Sequence, residues 1–275
     1  MKKLTHIIVA ALVLSLSACG GPAETPTANV PDEGSTPAES IAVVEPRPDV
    51  YADFRLDTDL SHLSDGQRQM LVKLIEASQI MDDLFWHQAY GGDYQAWLQS
   101  IGVDEVRRFA EINYGPWDRL DDDRPFVEGV GEKPLGAQFY PADMSKAEFE
   151  AADLPGKNGQ YSYVRRDADG ALTLVPYHVA HADALADAAD LLREAADLAE
   201  HEGFANFLRL RADALVTDEY QASDFAWMDV KSNPVEVVIG AIETYEDRLF
   251  GIRTAYESYV LIKDQAWSER LSRFA

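Results

Sequence analysis

Cysteine is almost absent: of 275 residues only Cys19 carries a thiol. No disulfide can form within such a chain, and if Cys19 is consumed no other thiol remains for metal ligation or nucleophilic attack. Cationic side chains are also scarce, 24 Lys and Arg against 48 Asp and Glu, for a formal net charge of −24. A surface of that sign repels phosphate backbones, which argues against nucleic acid as a partner. It favours solubility and weakly favours cationic ligands, without naming one. The apolar stretch 7–16 is too short to cross ~30 Å of hydrocarbon. There is no Gly-x-Ser-x-Gly nucleophile elbow, no phosphate-cradling glycine loop and no Gly-x-Gly-x-x-Gly. No repeat of fixed period occurs, so a solenoid is excluded.

What is present is material for a core: 47% of the residues are hydrophobic and 10% aromatic, enough for one large or two ordinary domains. Residues 1–19 read as an export signal, with Lys2 and Lys3 ahead of the apolar stretch. Its end, Leu16-Ser-Ala-Cys19, resembles a bacterial lipobox, in which Cys19 receives the lipid and tethers the protein to a membrane. Gly20 after that cysteine points to the outer membrane, with the folded part facing the periplasm. Residues 20–50 are rich in Pro, Gly, Thr and Glu and hold too few large apolar side chains to offset the entropy of ordering. They are expected to be a flexible tether.

From residue 51 onward the pattern is mainly helical with a small β component, an α+β chain. Ser64-Asp-Gly-Gln67 is a capping box ahead of apolar residues at helical spacing, predicting a helix over 65–90 that stops at Gly91-Gly92. Shorter helices are expected at 94–100 and 104–113, then an aromatic turn, Asn113-Tyr-Gly-Pro-Trp-Asp-Arg-Leu120, as a cleft wall. Ser145-Lys-Ala-Glu148 is a second capping box. The stretches 161–165 and 171–175 flank Asp167-Ala-Asp-Gly170 as a hairpin. One long helix is expected over 179–201, ended by Gly203, with others at 204–215, 223–229 and 265–275. The last carries Trp267, Leu271 and Phe274 on one apolar face, which predicts poor solubility or self-association.

Metal-like spacings occur, each with a plainer reading. Asp83 and His87 stand at i,i+4, His178 and His181 at i,i+3, and Asp121 to Asp123 form an acidic run. Without a third ligand or alternating oxygen donors, the first two are expected to be ordinary helical side chains and the last a solvated charge cluster.

The stretch that organises the rest is 235–262. Val235, Val237, Val238 and Ile239 favour a strand, and Gly240 would let another backbone approach. Glu243 and Tyr245 then alternate along an extended segment and so share a side. From the residues alone a buried strand with a packed Tyr and a solvated Glu is the plainer reading.

The wording resolves it differently. Ile239-Gly-x-Ile-Glu-x-Tyr-x-Asp247 with Phe250-Gly251, the turn Asn-Tyr-Gly-Pro-Trp-Asp-Arg-Leu, and Gly-Ala-x-Phe-Tyr-Pro-Ala-Asp-Met144 resemble the dipeptidyl-peptidase III family of zinc peptidases, in its bacterial lipoprotein branch. The resemblance implies the amino-terminal part of a two-lobed fold. It implies peptide as substrate, an edge strand along which the peptide lies, and substrate contacts at Glu243 and Tyr245, with Ile242 and Thr244 beside them. Thr244 stands where many relatives have Ser. It also implies a zinc ion in the complete enzyme, yet the family's His-Glu helix and its later Glu ligand have no counterpart here. The expectation is therefore a docking part of a longer dipeptidyl peptidase, itself inactive and binding no zinc. The alternative is a non-catalytic helical lipoprotein that binds peptides or protein partners.

Overall fold

The computed structural model describes residues 43–271 and 273–274, so the expected signal, Cys19 and most of the tether lie outside the described residues. The tether's last residues are not free. Val44 N–H donates to the Pro125 carbonyl at 2.9 Å, Arg47 Nε donates to the buried Asp118 at 2.9 Å, and Tyr51 packs on Phe109. A buried carboxylate must have a partner, and Arg47 is the one recruited.

Helix α1 (Asp65–Ala89) starts with the capping box the sequence signals: Ser64 Oγ accepts from Gln67 N–H, and Gln67 Oε1 accepts from Ser64 N–H. Helices α2 (Tyr94–Ser100) and α3 (Asp104–Asn113) follow, and α3 ends on Tyr114 in the left-handed region at φ 53°. The aromatic turn then forms a small ladder, β1 (Trp117–Asp118) with β2 (Arg124–Pro125). Ser145 accepts from Glu148 N–H to open α4 (Lys146–Ala151), but the Glu148 carboxylate reaches Arg166 Nη1 at 2.8 Å instead of closing the box.

The hairpin is β3 (Ser162–Arg166) with β4 (Leu172–Pro176), turned at Gly170 with φ 83°. The expected long helix is two helices, α5 (Tyr177–Ala180) and α6 (Ala182–Leu198). They break at His181, whose φ of −125° is not helical and whose Nε2 lies 2.7 Å from the Tyr163 hydroxyl. Gly203 is not a stop but lies in the first turn of α7 (Glu202–Leu215), which His201 caps by accepting from Phe204 N–H. Helix α8 (Gln221–Asp229) leads into the antiparallel pair β5 (Val235–Glu243) and β6 (Ala255–Ile262). Helix α9 (Gln265–Leu271) is capped by Asp264 and leaves Trp267 and Leu271 exposed, with Phe274 exposed just beyond.

The core sits where α1 packs on α6 and β6, α6 on α7 and α7 on α8. Leu74, Met81, Leu185, Leu192, Leu208, Val237 and Ile239 meet there with no side chain open to water. Burying each such residue stabilises by roughly 1.5–3 kcal/mol, which is what holds the hairpin against α1.

Candidate functional site

A cleft of about 580 Å³ lies between α1, the aromatic turn after α3 and the turn end of the β5–β6 hairpin. Met81 and Phe85 of α1 give it an apolar wall, Tyr114 and Arg119 come from the turn, and Glu243, Tyr245, Glu257 and Tyr259 come from the hairpin.

The hairpin register explains the carboxylates. Gly240 pairs with Glu257 and Glu243 pairs with Ala255, across an irregularity between Ala241 and Glu243. Glu243 therefore stands near Glu257 at the turn end of the hairpin. Burial raises the Glu257 pKa above the ordinary carboxylate range, and the Glu243 charge raises it further. No cationic side chain among the described residues pairs with either. Glu257 was missed in the sequence because its proximity to Glu243 follows from pairing, not from spacing.

Strand β5 ends at Glu243, so Tyr245 does not continue an alternating strand as expected. It sits in the following turn, 82% exposed, and still lines the cleft. Ile242 and Thr244 do not line it; Thr244 contributes its carbonyl to the Asp247 N–H at 3.1 Å. Nor is β5 an open edge along its length. The Ile239 carbonyl accepts from Arg211 Nη1 at 3.0 Å and Ala241 N–H donates to the Tyr220 hydroxyl at 3.4 Å. Gly240 is required by these side chains and not by a second backbone: a Cβ there would lie 2.7 Å from the Tyr220 ring, and its φ is 133°.

Along the cleft wall and behind it the charges are paired. Glu246 is buried and takes Arg119 Nη1 and Lys133 Nζ, each at 2.6 Å. Burial opposes its ionisation, but the two cations outweigh that and hold its pKa below the ordinary value. Burial lowers the Lys133 pKa, only partly countered by Glu246. The acidic run is not simply solvated, since buried Asp123 pairs with Arg248 at 2.6 Å and Asp121 pairs with Arg124. Tyr114 donates to Asp82 at 2.5 Å; burial and then that carboxylate push its hydroxyl pKa up, so it stays a neutral donor. Asp247 fixes the turn by accepting from Tyr140 Oη and from the main-chain N–H groups of Leu249, Phe250, Ile252 and Arg253.

The residues present do not suit a zinc ion. Among the described residues no three His, Cys, Asp or Glu side chains stand together as a ligand set. His178 Nδ1 is 2.8 Å from Asp218, His181 bonds Tyr163, and Asp83 accepts from Tyr94, so the metal-like spacings serve local structure.

Comparison with known proteins agrees with the cleft's wording. Residues 158–275 match the model of Peptidase family M49. The solved structure of DPP III from Caldithrix abyssi superposes with a TM-score of 0.75 at 35% identity, over 79% of this chain and 43% of that one. Dipeptidyl-peptidase III from Corallococcus sp. strain EGB gives 0.74 at 34% identity, over 85% of this chain and 44% of that one. Among curated proteins, Nudix hydrolase 3 of Arabidopsis thaliana is 26% identical over 285 residues, 82% of this chain and 37% of its own length. The chain thus spans less than half the length of these relatives.

Proposed function

Because the chain is a member of the dipeptidyl-peptidase III family over the part of that family it spans, we propose that its cleft receives the amino end of a peptide, as the docking part of an enzyme that releases dipeptides. The observation that carries this is the Glu243 and Glu257 pair. Two carboxylates close together, one of them partly desolvated and neither matched by a cation among the described residues, repel each other until a positive charge arrives. A peptide's terminal ammonium is such a charge and brings three donors. Phe85, Tyr114, Tyr245 and Tyr259 offer the adjoining apolar and aromatic surface for the first side chains. In this reading Glu243 is the main contact, Glu257 assists, and Tyr245 orients the peptide backbone. The side chains of Ile242 and Thr244 take no part.

The groups that cut the peptide bond, with the zinc the family resemblance implies, are assigned to the part of the family's length that this chain does not span. We also propose that Cys19 is lipidated and that the protein faces the periplasm from the outer membrane. Incorporation of a labelled fatty acid that persists in Cys19→Ala would refute that.

Calorimetric titration of the 275-residue chain with tetra-alanine and with N-acetyl-tetra-alanine tests the docking. A charge-assisted hydrogen bond in a partly desolvated site contributes about 1.5–3 kcal/mol. The free-amino peptide should therefore bind at least about tenfold tighter, and Glu243→Gln should remove most of that preference. Equal affinity for the two peptides in the unsubstituted chain would sink the reading.

A further inference from the structure

We propose that Arg119 is a second anchoring residue of the cleft, donating to a main-chain carbonyl of the docked peptide, and that Lys133 is the positioning residue that leaves it free to do so. The inference rests on the docking reading above and adds a group which that reading does not use.

Arg119 Nε donates to the Asn113 carbonyl at 2.6 Å and Nη1 to Glu246 Oε2 at 2.6 Å. Those two bonds fix the plane of the guanidinium, which lies over the Phe85 ring with 5.5 Å from Cζ to the ring centroid. Nη2 is only 3.4 Å from Glu246 Oε1, too long to contribute much. The reason is Lys133: its Nζ already holds that same oxygen at 2.6 Å. An arginine facing a carboxylate ordinarily closes a two-bond fork that uses both terminal nitrogens. Here the lysine takes the nearer share of that oxygen, so one Nη2 hydrogen makes only a long bond to Glu246 and the other has no acceptor among the described residues, on a side chain that lines the cleft.

Lys133 is placed for this as well as for pairing the buried carboxylates behind it. Its side chain is 8% exposed, does not line the cleft, and lies between Glu246 and Asp123, with Asp123 Oδ1 at 3.8 Å. The cleft then has two unlike ends. Glu243 and Glu257 suit a cationic group, and Arg119 suits a carbonyl oxygen, so an extended peptide is held at two points and in one direction.

The experiment uses the full chain and the same two probes, tetra-alanine and its N-acetyl form, with Arg119→Gln, Lys133→Met and the double variant. Arg119→Gln should weaken both peptides about five- to tenfold and leave the ratio between them unchanged, whereas Glu243→Gln changes the ratio. Lys133→Met lets Arg119 close its fork on Glu246, so it should weaken both peptides by a similar factor, with the double variant no weaker than Arg119→Gln alone. Should Lys133→Met fail to fold, Lys133→Gln replaces it with the same expectation. Unchanged binding in Arg119→Gln, or additive losses in the double variant, would overturn the proposal while leaving the docking reading intact. No preference for the free amine in the unsubstituted chain would instead remove the reading on which it rests.

Discussion

Replacing Asp247 with asparagine should unfold the turn that carries Tyr245 and Glu246, although Asp247 itself is buried away from the cleft. Its Oδ1 accepts from Leu249 N–H and Phe250 N–H, both at 3.1 Å. Its Oδ2 accepts from Tyr140 Oη at 2.8 Å and from Ile252 and Arg253 N–H at 2.9 Å. An asparagine keeps the shape but turns one oxygen into an NH₂, which faces donors. With the amide nitrogen on the Oδ1 side two donors lose their acceptor, and on the Oδ2 side three do. Hydrogen bonds to a charged group contribute about 1.5–3 kcal/mol each, so even the better orientation costs about 3 kcal/mol. With a urea slope of about 2–3 kcal/mol/M, the unfolding midpoint should fall by about 1 M or more at unchanged slope. Tyr140→Phe removes one donor and leaves the carboxylate with its four main-chain donors, so it should cost about half as much, about 1.5 kcal/mol. Urea unfolding followed by tryptophan fluorescence reads both. A loss below about 1 kcal/mol for Asp247→Asn would mean that the turn is held by something other than this carboxylate.

Gly240→Ala should destabilise by about 2–4 kcal/mol, since φ of 133° is strained for any L side chain and the new Cβ would sit 2.7 Å from Tyr220; a thermal midpoint within 2–3 °C of the unsubstituted chain, roughly a 1 kcal/mol change at this size, would contradict it. His181 gives a pH dependence. Burial pushes its pKa down to about 4, with His87 and Arg165 adding to the effect. The unfolded chain, with a pKa near 6.5, takes up a proton that the folded chain refuses. The stabilisation is thus present above about pH 6.5 and lost as pH falls to about 4, by about 3 kcal/mol in all. Urea midpoints from pH 7 to pH 4 should fall less steeply in His181→Phe than in the unsubstituted chain, and parallel curves would count against the assignment.

Local signals made much of the scaffold legible. The Ser64 capping box, the turn at Gly170 and the β-branched run before Gly240 each specify their element through neighbours a few residues away. Where the reading went astray, the deciding partner lay far along the chain. His181 breaks a helix because Tyr163 takes its imidazole, and residues 44–51 are held because Asp118 and Phe109 need them. The acidic run looked solvated because nothing nearby in sequence shows that Arg248 and Lys133 fold onto Asp123. Within the site, Glu243 came from the family wording, while Glu257 needed the register of β5 against β6. Alternation predicts a strand through Tyr245 because nothing in that pattern shows that Asp247 gathers the next main-chain N–H groups into a turn.

The division of charge around the cleft ties these points together. Carboxylates that build the frame are satisfied: Asp118 by Arg47, Asp247 by main-chain donors, Asp123 by Arg248, and Glu246 by two cations at once. Glu243 and Glu257, at the mouth, have no such partners among the described residues. In a chain with 48 acidic and 24 basic side chains cations are in short supply, and here they are spent on the carboxylates of the frame and not on Glu243 or Glu257. Unmatched carboxylates at a rim cost stability by mutual repulsion, and a rigid backing is what allows the fold to hold them together. A structural role for Glu243 would have placed a cation or a main-chain donor within its reach. The hairpin instead closes behind it on Asp247 and leaves the carboxylate facing the aromatic cleft, which is the arrangement a cationic peptide end would complete.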